Sequence, residues 1–460
     1  METQENTIDM DLQAQSSVVR QMSVGGDLKA KQAVVVRVLG KPMKSKNLKV
    51  RVAAIDTLSA YTLLAGFSVD ANFNDVWPDL MKTIDDRTSF EPTISSLGVL
   101  RRLFRSKSLE EAGGTSNFAA SAAEITLFLQ KAIDHEYSKV VFEGLRVASS
   151  FLNALRRQDT ATVDPAYAQT VNQLHGIIFG KLGRVNIDTE VKHCCLLTAS
   201  SLISTAHPIL GAPVLGSYYT IFADRMTNEL TREAALKGLT MIASNSQNKS
   251  ANAPVIPIPE PAMFLPAFFD LLKKQQRQLH LNTLECLAAL AQRYPAQLGA
   301  NAEVIENEIC AMISDQDLQK ANLALQVSTS LIQANRDRAA HRAAVGMAIQ
   351  ASSSEMIQGN VKETIKNFFR VAASSGVLED GASQMLLNFV NLKSQGAAAC
   401  LAISIANCQA FAPILQQLWS MTDSQDPNQL IVAALTIGEY GKLVDLSGEA
   451  RILPTVQRLF

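Results

Sequence analysis

Catalytic or metal chemistry would have to come from six histidines and six cysteines. His135, His175, His193, His207, His280 and His341 are scattered along the chain and share no metal-ligand spacing. The one tight grouping is His193-Cys194-Cys195. Adjacent residues on a helix point about 100° apart, so these three cannot converge on one ion unaided, and no metal site is expected there. The cysteines are Cys194, Cys195, Cys286, Cys310, Cys400 and Cys408, with no CxxC pair. They lie in apolar segments, where a free thiol behaves as a small hydrophobe, so reduced core thiols in an intracellular protein are expected. The chain has no GxSxG, no HExxH, no P-loop and no GxGxxG after a strand. Neither an enzymatic activity nor a cofactor is expected. Asn248-Lys249-Ser250 is a glycosylation sequon by letter, but it needs a secretory signal, and the opening METQENTIDMDL is acidic with no apolar run.

The polar residues that do recur are basic. Lys49, Arg51, Lys139, Lys192 and Arg232 all fall at the start of an expected helix that is second in a pair. One reading makes them a ladder along a concave face, ready for an acidic partner. The other has them bonding acidic residues of the neighbouring pair and setting register. Lys49, Lys139, Lys192 and Lys237 are the candidate partner contacts.

The helix that must carry these residues is written most clearly in Leu230 to Ser244, LTREAALKGLTMIAS. Counting from Arg232, apolar or small residues fall at Ala235, Leu236, Leu239, Ile242 and Ala243, which make one stripe on an α-helix. The same offsets from Arg51 give Ala54, Ile55, Leu58, Tyr61 and Thr62. From Lys192 they give Cys195, Leu196, Ala199, Leu202 and Ile203, and from His280 they give Thr283, Leu284, Leu287, Leu290 and Ala291. Leu430 opens a further copy and Val140 a weaker one. Several successive copies lie roughly 40 to 50 residues apart, the period of helical-pair solenoids.

The expected organisation follows from this repeat. Residues 1–30 read as a flexible lead-in and residues 31–460 as a continuous array of about ten helix pairs, apparently cut at its C-terminal end. Asp188 and Asp426-Pro427 are helix starts, the aspartate as cap and the proline at the first helical position. PVIPIPEP cannot be helical and reads as a stiff surface crossing, or alternatively as a proline-rich ligand for another domain. Ala397 to Leu415 is the most apolar run, yet Ser404, Asn407, Gln409 and Pro413 interrupt it, so a buried helix is expected and not a membrane span. Hydrophobic residues are 47% and charged residues 18%, a globular composition. With 42 Lys+Arg against 43 Asp+Glu the net charge is −1, which gives no electrostatic case for nucleic acid or an anionic membrane.

DTEVKHCCLLTASSLIST (188–205), RMTNELTREAALKGLTMIA (225–243), Lys274 to Leu290, QGNVKETIKNFF (358–369) and LIVAALTIGEYGKLVDLSG (430–448) carry a resemblance. In order, from about Val34 to Phe460, the chain resembles the middle of the cullin-associated and neddylation-dissociated proteins. GEYGKLVDLSG is the most specific segment. The resemblance implies an all-α HEAT-repeat α-solenoid, a superhelical array of antiparallel helix pairs. It implies a non-enzymatic scaffold that binds cullin–RING ubiquitin ligase subunits and regulates their assembly, neddylation and substrate-receptor exchange, in the cytoplasm, the nucleus or both. The family's chain continues beyond both ends, so one part of a divided or truncated homologue is expected, with a second chain supplying the missing repeats. The alternative is a HEAT-repeat adaptor or nuclear-transport-type carrier with another protein partner.

Overall fold

The computed structural model describes residues 36–61, 77–86, 89–109, 121–155, 165–184, 186–244, 255–379 and 393–459. The expected lead-in, the sequon and the first helix of the ninth pair lie outside these. The described residues are helices and their connections, without a strand. They fall into two compact units, Met1–Pro257 and Ile258–Phe460.

In the first unit α1 is Leu48–Tyr61, α2 is Glu91–Leu109, α3 is Ala122–Ile133 and α4 is Ser138–Leu155. Then come α5 (Pro165–Leu182), α6 (Thr189–Thr227) and α7 (Arg232–Ser244). The helices expected to be second in each pair stack side by side, α1 on α2, α2 on α4, α4 on α6 and α6 on α7. First helices form their own row, with α3 packed on α5. The reason is the stripe. Leu58, Val147, Leu202 and Leu239 are each no more than 1% exposed, and a helix with one apolar face must press it on a neighbour.

The 39-residue α6 is two helices joined at Gly211, whose φ of 73° and ψ of 163° are not helical. The first part completes the fourth pair and the second opens the fifth, as the repeat requires. Asp188 caps the first part, its carboxylate accepting from Glu190 N at 2.8 Å.

The second unit comprises α8 (Leu265–Leu272), α9 (Arg277–Arg293), the short α10 (Pro295–Gly299), α11 (Ala302–Ile309), α12 (Leu318–Ala334) and α13 (Arg338–Ser352). It continues with α14 (Asn360–Ser374), α15 (Gln395–Asn407), α16 (Ala412–Met421), α17 (Pro427–Tyr440) and α18 (Ile452–Leu459). Again second helices stack in order, α9 on α12, then α14, α15 and α17, while α11 packs on α13. The residues of the template stripe in α9, Thr283 to Ala291, are fully buried. Asp426 accepts from Asn428 N at 2.9 Å with Pro427 at the first position of α17, as expected.

Two local expectations need correction. The crossing at PVIPIPEP is not a strap lying wholly on the surface: Val255 and Pro257 are exposed, while Ile256 and Ile258 alternate with them and are buried. Extended backbone turns successive side chains to opposite sides, and Tyr219 Oη donates to Pro257 O at 2.9 Å. The run Ala397 to Leu415 is not one helix, since α15 and the segment containing α16 meet at a bend of 118°. Among the described residues α6 is, by length and composition, the one single helix that could cross a membrane, and the bent pair of α15 and the segment containing α16 passes the same test; two thirds of the most apolar window of α6 is buried, as in a core helix.

Candidate partner-binding surface

Lys49, Lys139 and Lys192 sit at the N-terminal ends of stacked second helices of the first unit, and Lys237 sits in the middle of one. Lys49 on α1 and Lys139 on α4 are exposed, and Lys192 on α6 and Lys237 on α7 are half-buried. Helix geometry says why they differ. Relative to the repeat's starting residue, Lys49 lies two before, Lys139 one before, Lys192 on it and Lys237 five after. At about 100° per residue, Lys49 and Lys237 point away from the stripe within about 20° of each other, whereas Lys192 falls within the stripe's arc, at its N-terminal end. The four do not share one register position. Lys49, Lys139 and Lys192 form no ion pair among the described residues.

The arginines of the same register do bond locally. Arg51 Nη2 lies 2.6 Å from Asp86 Oδ2, just ahead of α2, and its Nη1 donates to Ser45 O at 3.1 Å. Arg232 Nη2 lies 3.6 Å from Glu229 Oε1. In the second unit Arg277 donates twice to Asp317, at 2.6 and 3.0 Å, and once to Gln319 Oε1 at 2.7 Å. Asp317 also caps α12, and the Arg277 guanidinium, ahead of those backbone amides, holds its carboxyl below the usual range. Arginine's planar fork suits this bridging, and lysine leaves its point charge in water.

A basic group that the sequence reading passed over lies where α2 meets α4. Glu143 Oε1 accepts from Arg146 Nη1 at 3.2 Å, its Oε2 lies 3.5 Å from Arg101 Nη1, and Arg102 donates to Ser59 Oγ at 2.6 Å. One carboxylate thus faces two guanidiniums, and burial holds Arg101 below the usual arginine range. The run RRLFR was the available signal.

The remaining candidates for chemistry are structural. All six thiols are free. Cys194 Sγ donates to Phe142 O at 3.6 Å, and burial pushes the Cys195 thiol up to about 12, so both stay protonated. His193 turns to Leu230 O and not toward either sulfur. No group of three His, Cys, Asp or Glu side chains that could hold a metal ion occurs among the described residues. Lys181, also passed over, is 5% exposed, and its Nζ donates to Ile133 O at 2.6 Å, an orphan carbonyl at the C-terminus of α3. Burial holds its ammonium below the ordinary value.

No protein-family model matches the chain. Cullin-associated NEDD8-dissociated protein 1 of Arabidopsis thaliana is 23% identical over 449 residues, which is 92% of this chain and 36% of the relative. The Drosophila melanogaster protein of the same name is 22% identical over 92% of this chain and 35% of its own. That of Dictyostelium discoideum is 21% identical over 94% and 35%. The chain's curated relatives are cullin-associated NEDD8-dissociated proteins. The end-to-end match agrees with the resemblance read from the five segments, and the chain spans about a third of the length of these relatives. Among solved structures, an engineered protein and a Kap121p mutant each superpose with a TM-score of 0.49, at 14% and 12% identity. They cover 88% and 92% of this chain, and it covers 98% and 43% of theirs. The fold stands on the stacking of the helices themselves.

Proposed function

We propose that this chain is a non-enzymatic helical-repeat scaffold that binds cullin–RING ubiquitin ligase subunits. The observation that carries the reading is the match along 92% of the chain to relatives named for cullin association. The repeat architecture supports it, because stacked pairs present long surfaces for a protein partner. Regulation of ligase assembly, neddylation and receptor exchange is the finer part of the proposal, as are a cytoplasmic or nuclear location and a second chain that supplies further repeats. Lys49, Lys139, Lys192 and Lys237 are the proposed contacts, the first three being ammoniums without a carboxylate partner among the described residues. No observation favours a nuclear-transport-type carrier over this reading.

The test is binding of the full chain to a purified, unneddylated cullin–RING complex, read by biolayer interferometry at several salt concentrations. Binding that weakens with salt, and weakens about tenfold or more when the lysines are reversed to glutamate, is expected. A parallel assay follows release of a labelled substrate adaptor. Linked sites gain effective concentration, and the chain spans about a third of its relatives, so the chain alone should release adaptor slowly. Absence of binding to every cullin tried would remove the cullin assignment.

A further inference from the structure

The second unit holds a half-open cavity of about 600 Å³ where the end of α13 meets the starts of α14 and α15. Its lining carries three lysines, Lys362, Lys366 and Lys393, against one carboxylate, Glu355, a net charge of +2. Glu363 holds Lys366 at 2.9 Å, while Lys362 and Lys393 have no ion-pair partner among the described residues. Cys400 forms part of the wall, 2% exposed, with burial holding its thiol protonated. The serine hydroxyls are already committed inward: Ser352 and Ser353 donate to carbonyls of their own helix, and Ser354 donates to Asp315 Oδ2 at 2.7 Å. The lining cations left without a carboxylate partner among the described residues are therefore Lys362 and Lys393, joined by the backbone amides of the helix starts.

Those amides belong to two helix starts. Gly359, with φ of 58°, precedes α14 and offers no side chain to cap it. Ser394 covers only Ala397 N, at 3.3 Å, in the first turn of α15. Gly396 must be glycine, since a Cβ there would meet Ser352 O at 2.4 Å, and its absence lets α15 start against the end of α13. Helix starts carry partial positive charge and unsatisfied N–H groups, which adds to the lysine field.

We propose that this cavity binds a phosphate monoester. Such a group carries about −1.5 to −2 charges at pH 7 and three strong acceptor oxygens, enough to meet both unpaired lysines and the amides of the helix starts, whereas a carboxylate has two. The volume lies within the roughly 300–1,000 Å³ of ligand pockets, room for the organic group that bears the phosphate. The phosphoryl group comes from a small metabolite or from a phosphorylated side chain of a partner.

The test uses the full chain and ³¹P NMR line broadening. The probes are inorganic phosphate and an alanine heptapeptide with a central phosphoserine, each against its unphosphorylated or sulfate-free control buffer. Saturable broadening is expected, with affinity about tenfold lower in Lys362→Ala and in Lys393→Ala and unchanged in Lys273→Ala, an exposed lysine outside the cavity. A peptide that binds more tightly than the free ion assigns the source to a phosphorylated chain, and equal affinities assign it to a small phosphate. Circular dichroism confirms that each variant is folded. No broadening at millimolar probe, or equal loss in all three variants, overturns the proposal.

Discussion

Glu306 and His341 show most plainly what a single residue contributes here. Both are fully buried, with His341 Nδ1 2.7 Å from Glu306 Oε1 and its Nε2 2.7 Å from Asn335 O. A carbonyl can only accept, so Nε2 carries a proton. A second proton then lies between Nδ1 and Oε1, on one atom or the other. Burial raises the Glu306 carboxyl above its ordinary 4.5. Burial lowers His341, but the Glu306 contact and the Asn335 carbonyl outweigh it and leave the imidazole above 6.5. Both folded-state values are raised, so the folded chain binds more protons than the unfolded chain above about pH 4.5. Stability from this pair is complete below the unfolded values and is lost as pH rises through the folded ones. Denaturant melts of the full chain between pH 4.5 and 9 should show that decline. Glu306→Gln, whose amide can donate to Nδ1, should flatten it. Glu306→Ala should cost about 3–5 kcal/mol by stranding the histidine. An unchanged pH slope in Glu306→Gln would assign the decline to other groups.

At the scale of the helix, the stripe positions and the glycines give opposite expectations for similar substitutions. Gly238 in α7 has no room: a Cβ would meet Ser200 Oγ at 2.5 Å and Phe222 Cε1 at 2.7 Å. Gly238→Ala should therefore destabilise by about 1–3 kcal/mol, because both parts of α6 approach α7 closely there. Gly346 in α13 has nothing within 4 Å of the same atom, so Gly346→Ala should stabilise by about 0.4–1 kcal/mol through the unfolded chain. Thermal melts of the two variants would separate them, and a shared sign would contradict the packing. The helix scale is also where the sequence was most legible. The recurring stripe located α1, α4, α6, α7 and α9, and Asp188 and Asp426 cap as their positions require; in α17 the buried residues are Val432, Ala433 and Thr436, so of the stripe counted from Leu430 only Ala433 is buried. Partnerships between pairs were not legible. Glu306 follows Ala302 and Ile305 on an apolar stripe, as His341 precedes Ala344 and Ala348, which signals two buried polar residues. That they meet across 35 residues depends on the register of α11 against α13, which no local pattern encodes. The lysine cavity was hidden for the same reason, since Lys362 and Lys393 become neighbours only through stacking.

Among the described residues of each unit the main packing runs between neighbouring repeats, and that governs how damage should spread. In the first unit α1 packs on α2, whereas α7 packs on α6, four stacked helices further along. Stability in such an array is a sum of each repeat's own term and its interfaces, so a local loss need not unfold the whole. Leu58 in α1 and Leu239 in α7 occupy the same stripe position and are 1% and 0% exposed. Each Leu→Ala should remove about 2–5 kcal/mol where it sits. Amide hydrogen exchange read by mass spectrometry should show different footprints. Leu58→Ala should lower protection in α1 and α2 and leave α7 close to its original rate. Leu239→Ala should do so in α7 and the adjoining part of α6 while sparing α1, because opening then costs only the repeats that open. Uniform loss of protection in both variants would mean that the unit unfolds as one cooperative body and that the neighbour-sum description fails for it. A footprint confined as described would instead let a partner bound along the row stabilise only the repeats it touches. Under that outcome, protection mapped with a cullin present reads out which of Lys49, Lys139, Lys192 and Lys237 lie in the contact.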